Sequence, residues 1–257
     1  MIAGEDYSGD VFFSEWFGVA SETLENYGAL NISVVSDLPM FIDPFLLFNS
    51  DKAEYLALHE SIIDYLRFLK SQAGSGLEPG LVDAWYRFAE VKQNWLGFVV
   101  DGNSGHGLGR MFARELNEAL TTLLSDLGEE VTTESTHVEK VSLIRTGVGR
   151  DTISDFTTNL IKHYLCSYTE TFTLEHIEES QRRKFTVPRA AFNYNTKVWT
   201  PRRMNWPSKW LNFRVSRINR ALFAIVVFFT PSHSLSWSAV ACGDWDGSNT
   251  KLSCPTA

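Results

Sequence analysis

Acidic residues are missing from a long stretch of this 257-residue chain. Between residues 180 and 243 there is no Asp or Glu, against 11 Lys/Arg. Residues 1–179 carry the opposite bias, with 29 Asp/Glu and 11 Lys/Arg, so a local balance of −18 lies inside a net charge of −8. Such asymmetry marks a boundary in composition. Cysteine is scarce too. Cys166, Cys242 and Cys254 are scattered and lack metal-ligand pairing, so a disulfide framework is excluded and a reduced cytoplasmic protein is the plain expectation. The opening "MIAGEDYSGD" has acids where a signal peptide has bases. The longest apolar run, "ALFAIVVFF" at 221–229, is too short to span a bilayer, and no membrane is expected. No solenoid repeat or low-complexity tract occurs.

A soluble globular composition remains, with 44% hydrophobic and 21% charged residues. Residues 11–29 read as helical up to Gly28, and "ALNISVV" at 29–35 reads as a strand. "MFIDPFLLF" at 40–48 is interrupted by Pro44 and is expected to be extended and buried. Asp51 and Glu54 suggest a capped helix start, followed by a stripe of Tyr55, Leu58, Ile62, Leu66 and Leu69. A shorter helix follows the loop at 73–80. "WLGFVV" at 95–100 reads as a strand, and "HVEKVSLI" at 137–144 is ambiguous. Further amphipathic helices carry Phe112 to Leu127, stopped by Gly128, and Ile153 to Tyr168, capped by Asp151 or Thr152. The expected fold is a helix-rich α+β single domain over residues 10–180, with a few short strands. An extended basic segment at 181–204 and a poorly ordered tail at 205–257 follow.

Two stretches offer chemistry. In "GNSGHGLGR", Gly102, Gly105, Gly107 and Gly109 lie between a strand pattern and a helix pattern, with Arg110 at the helix start. Unpaired N–H groups and a cation at such a junction attract anions. The spacing fits neither a Walker loop nor a Rossmann fingerprint, and the glycines also make sense as a tight turn. In "GVGRDTISDFTTNLIKH", Asp151, Asp155 and Asn159 lie at i, i+4 and i+8 beside Arg150. That face is a candidate for Mg²⁺ (Asp151, Asp155) and phosphate (Arg150); capping and an exposed polar face are the plainer account. Asp37 and Asp43 suggest turn chemistry more than a metal pair. No zinc helix or serine elbow is present, and His59, His106, His137 and His163 lack ligand spacing.

Several stretches together, "FFSEWFGVASETLENYGALNISVVSDLPMFIDPFLLFNS", "EVKQNWLGF", "GNSGHGLG", "GVGRDTISDFTTNLIK" and "KFTVPRAAFNY", resemble the N-terminal region of an uncharacterised bacterial protein family. Its full-length members are longer and carry a C-terminal PD-(D/E)XK nuclease-like domain. The resemblance covers residue 11 to about residue 200. It implies association with nucleic-acid cleavage or defence against mobile DNA, and carries over no catalytic residue: "VEK" at 138–140 lies in the wrong region for the nuclease motif.

After about Thr200 the chain departs from that pattern. An out-of-frame end of a truncated chain is the first expectation for the tail. The second is a nucleic-acid surface in which Arg202, Arg203 and Lys209 contact phosphates and Trp206 and Trp210 stack bases. The third is a membrane-surface segment around 211–229. The functional expectation is a non-catalytic N-terminal portion of a nuclease-related protein, serving recognition, regulation or assembly. The alternative is a small Mg-dependent enzyme acting on a phosphorylated or nucleotide substrate through the Gly102–Arg110 loop. Closeness of that loop to the 150–159 face decides between them.

Overall fold

The computed structural model describes residues 11–34, 41–74, 76–89, 91, 109–122 and 150–208. The segments expected to be strand-like at 95–100 and ambiguous at 137–144 lie outside the described residues, as does the chain from residue 209 onward. Within them the fold is α+β: helices packed around one antiparallel hairpin.

Helices α1 (Phe13–Phe17) and α2 (Ser21–Tyr27) each end on a glycine in the left-handed region, Gly18 at φ 69° and Gly28 at φ 80°. A side chain resists that backbone, so Gly18 divides what the sequence suggested was one helix. The strand expected at 29–35 is realised as a single bridge, Phe12 opposite Ser33. Its flanking bonds run from Phe13 N–H to the Ile32 carbonyl and from Val34 N–H to the Val11 carbonyl, both 2.8 Å. Helix α1 begins at Phe13, which ends the pairing on that side.

Residues 44–48 correct the expectation of an extended segment, because Pro44 opens helix α3 (Pro44–Phe48). At the first helical position the missing N–H costs no bond and the fixed φ already suits a helix. The cap expected at Asp51 is also corrected. Helix α4 (Ala53–Gln72) starts after Lys52, with no side-chain cap, and Glu54 sits in its first turn. Its apolar stripe is buried as the spacing required. Helices α5 (Pro79–Trp85) and α6 (Arg110–Thr122) follow, the latter burying Phe112, Leu116, Ala119 and Leu120.

The single helix expected over 151–168 is two: α7 (Arg150–Leu160) and α8 (Lys162–His176), with Ile161 between them at φ −93°, ψ 9°. In the turn before the break, Thr158 Oγ1 donates to the Ser154 carbonyl at 2.7 Å and Asn159 Nδ2 to the Asp155 carbonyl at 2.8 Å. Side chains that return to the carbonyl four residues back bend a helix.

Strands β1 (Arg182–Asn193) and β2 (Val198–Pro207) form the hairpin. The Asn193 side-chain oxygen accepts from the N–H groups of Asn195 and Thr196 at 3.0 and 3.1 Å, which sets the turn. The extended basic segment expected at 181–204 is therefore paired, and the expected boundary at 205 falls inside β2. Between Val187 and Ala191 the register shifts, with Arg189 at φ 51°. The bulge turns Arg189 toward the α5 end, where its guanidinium donates to the carbonyls of Ala84 at 2.9 Å and Arg87 at 3.0 Å.

Two buried clusters make the core. The larger joins α4, α5, α6, α7 and α8 to the inner face of the hairpin; the smaller gathers Phe13, Phe17, Leu24 and Ile32 against Phe172 and Ile177. Helix α8 serves both. Tyr27 and Tyr168 fasten them together, each hydroxyl donating to the other's carbonyl at 2.9 and 2.6 Å.

Phe156 is fully buried, its ring edge-on to Phe88 at 4.7 Å between centroids. Phe156→Ala is expected to cost about 3–5 kcal/mol in chemical denaturation. Leu174→Ala, at a position 47% exposed, should change stability by no more than about 0.5 kcal/mol. Equal effects from the two would refute this placement of the core.

Candidate functional site

The acidic face marked in the sequence turns inward at its C-terminal end. Asp155 is half-buried, and Asn159, expected on an exposed polar face, is buried. Its Nδ2 donates to the Ala89 carbonyl at 2.7 Å as well as to Asp155, and its Oδ1 accepts from Lys162 Nζ at 2.7 Å. Lys162 is the residue that sequence reasoning missed. It is only 7% exposed, and burial lowers its pKa to about 8, with Arg189 lowering it further while Cys166 and Asp155 oppose the shift. Its signal was present in the spacing, three residues after Asn159 and seven after Asp155. Cys166, one turn on, is pushed up to about 11 by burial, which makes it a poor nucleophile at neutral pH.

The two acidic stretches adjoin. Ile42 N–H donates to Ser154 Oγ at 2.9 Å, so the chain entering α3 beside Asp43 runs against α7 beside Asp155. Of the two expected Mg²⁺ ligands only Asp155 has a described side chain; Asp151 and Arg150 open α7, and their side chains lie outside the described residues. Among the described residues no group of three His, Cys, Asp or Glu is placed to hold a metal ion.

Arg110 lies elsewhere. It opens α6 and pairs with Asp83 of α5, Nε and Nη2 both 3.1 Å from Oδ2. Both border a cleft of about 520 Å³ between the α4–α5 loop, α5 and α6. Gly109 is described, whereas Gly102, Gly105 and Gly107 lie outside the described residues. No described residue of α7 lines this cleft. The described residues therefore do not assemble the arrangement that a phosphate-plus-Mg²⁺ site needs.

The hairpin candidates divide. Trp206 is fully buried on the hairpin's inner face, near Phe185, so its ring has no open face for a base; that expectation is corrected. Inward placement follows from strand alternation, which puts Arg202, Met204 and Trp206 on one side of β2. Arg202 is engaged there too, 3.1 Å from Glu170 Oε2 and bonded to Ser167 Oγ. Glu170 Oε1 also takes the Asn205 N–H at 2.8 Å. Arg203, by contrast, is exposed, as are Arg183 and Lys184. Lys209 and Trp210 lie outside the described residues. No helix among the described residues is long and apolar enough to cross a membrane.

A helix-rich α+β domain that carries a basic hairpin on its last long helix is the class these elements define. The chain belongs to the family described as a domain of unknown function, DUF8370, whose model matches residues 18–216. That match runs past Thr200 and through the whole hairpin. Comparison with curated proteins and with solved structures gave no match.

Burial of Lys162 makes stability depend on pH. Its ammonium is disfavoured in the folded chain, with a pKa of about 8 against 10.5 when solvated. Below the lower value both states hold the proton and the full cost, roughly 3 kcal/mol, opposes folding. Between the two values the unfolded chain binds more protons, so stability rises with pH. Cys166, raised from 9.0 to about 11 by burial, opposes the rise above about pH 9. Buried tyrosines such as Tyr164 and Tyr168, whose pKa values are also raised, add to that opposition above about pH 10. The denaturant midpoint of the native chain should therefore rise between about pH 8 and 9, and that of Lys162→Met should stay level there and fall above about pH 9 as Cys166 takes over. A rise that persists in Lys162→Met would refute the assignment.

Proposed function

We propose that this domain is a recognition module, the non-catalytic N-terminal portion of a nuclease-related bacterial protein. It holds nucleic acid through the outward face of the β1–β2 hairpin. The observation that carries the reading is the charge of that hairpin: residues 180–207 contain seven Lys/Arg and no Asp or Glu. Arg183, Lys184, Lys197 and Arg203 among them are exposed. Lys184 stands opposite Asn205 and Thr186 opposite Arg203, so Lys184 and Arg203 are diagonal neighbours on one face. Among the described residues neither has a carboxylate partner. Such a pair suits phosphates two apart along a strand, and phosphate contacts position a nucleic acid without reading its sequence.

The contact set differs from the one the composition suggested. Arg202 and Trp206 stabilise the hairpin from within, and Arg203 with Lys184 faces outward. A cytoplasmic location and a link to defence against mobile DNA go with this reading, in keeping with the family resemblance. The Mg-dependent enzyme has less support, because no described residue of the Asp155 face lines the cleft at Arg110.

Fluorescence anisotropy with a labelled duplex across a salt series tests the proposal. Binding should weaken steeply with salt, and the Lys184→Ala/Arg203→Ala pair should lower the log–log slope by about 1 per cation removed. No binding at low salt, or an unchanged slope in the double variant, would sink it.

A further inference from the structure

We propose that the cleft between the α4–α5 loop and α6 binds a small phosphate monoester, with the phosphate between Arg110 and Arg114 and a hydroxylated, ring-sized body deeper in. This site is separate from the hairpin and does not depend on it. Its volume, about 520 Å³, lies in the range of small-molecule sites, roughly 300–1,000 Å³.

Helical spacing places the cations. Arg110 and Arg114 are four residues apart on α6 and both line the cleft, with Glu118 a further turn along. Asp83 fixes the Nε edge of Arg110 and leaves Nη1 for an incoming anion. Arg114 has no carboxylate partner among the described residues. Two guanidinium groups lining one cleft suit a group with three terminal oxygens better than one with two.

The wall beside them is shaped in advance. Asn117, nearly buried, clamps the α4–α5 loop by both ends of its amide: Oδ1 accepts from Gly74 N–H at 3.4 Å, and Nδ2 donates to the Gly74 carbonyl at 3.2 Å. An acceptor at Glu118 and apolar surface at Leu77 and Val82 complete a lining suited to a body with hydroxyls on one edge and carbon on the other.

The glycines supply the independent argument. Gly74 and Gly80 both line this cleft. Neither has a positive φ, and a Cβ built on either would meet nothing within 4 Å. Backbone geometry and packing among the described residues therefore do not require glycine here. At Gly80, inside α5, glycine also weakens the helix relative to alanine. Bare backbone facing a cleft lets a bound molecule approach closely, and the proposal assigns Gly74 and Gly80 that use.

The test uses the full chain with ribose 5-phosphate, adenosine 5′-monophosphate, inorganic phosphate and unphosphorylated ribose, read by calorimetry and thermal shift. At least one monoester should bind, more tightly than inorganic phosphate, and ribose should not. Arg114→Met should weaken that binding by about tenfold or more. Gly80→Ala separates the ligand role from structure. It should raise the melting temperature of the free protein, because the site is open and alanine favours the helix, yet weaken the monoester by about tenfold. The proposal is overturned if neither monoester binds, or if inorganic phosphate binds as well as they do. It is equally overturned if either variant binds like the native chain, or if Gly80→Ala melts lower.

Discussion

The carbonyls at the end of α5 need donors, and they draw three parts of the fold together. Asn159 of α7 takes the Ala89 carbonyl, Arg189 of β1 takes those of Ala84 and Arg87, and Tyr65 of α4 takes that of Trp85 at 2.8 Å. Trp85 answers by donating its indole N–H to the Lys197 carbonyl in the hairpin turn at 2.9 Å. The Trp85 carbonyl is buried, where lack of a donor is costly, and the part-buried bonds to Ala84 and Ala89 add to the seating of the hairpin and α7. The bulge in β1 follows from the same need. Without the added residues, Arg189 would continue the strand and point away from α5.

This arrangement explains which parts of the fold were legible in the sequence. The stripe on α4 and the apolar positions of α6 depend only on local period, and they are buried as read. Glycine at 28 ended a helix for a local reason as well. Pro44 misled because the same ring that breaks a helix interior suits its first turn. The break at Ile161 was invisible because it comes from side-chain bonds of Thr158 and Asn159, which compete with the backbone instead of changing the hydrophobic period. Lys162 escaped notice for a related reason: lysine usually marks a solvated face, and only the packing around it shows that this one is inside.

The hairpin shows how composition overstates availability. A run rich in arginine and tryptophan looks like a nucleic-acid surface along its whole length. Alternation divides it in two, with Trp206 in the core, Arg202 on Glu170, and only the other side left for solvent. The aromatic residues near its turn are equally committed. Trp199 donates to the Tyr65 hydroxyl at 3.1 Å, and Arg189 lies over the Trp199 ring at 5.2 Å. Charge in this element therefore has two roles, one holding the strand pair to α8 and one facing outward.

The reciprocal bonds between Tyr27 and Tyr168 span 141 residues of chain. During synthesis the first two helices leave the ribosome long before α8 exists, so Phe13, Phe17, Leu24 and Ile32 have no surface to cover them. At about 5–20 residues per second, that wait is on the order of ten seconds. For that interval the nascent chain presents an uncovered aromatic cluster. Completion of α8, more than any local propensity, is the event that lets the N-terminal helices find their place.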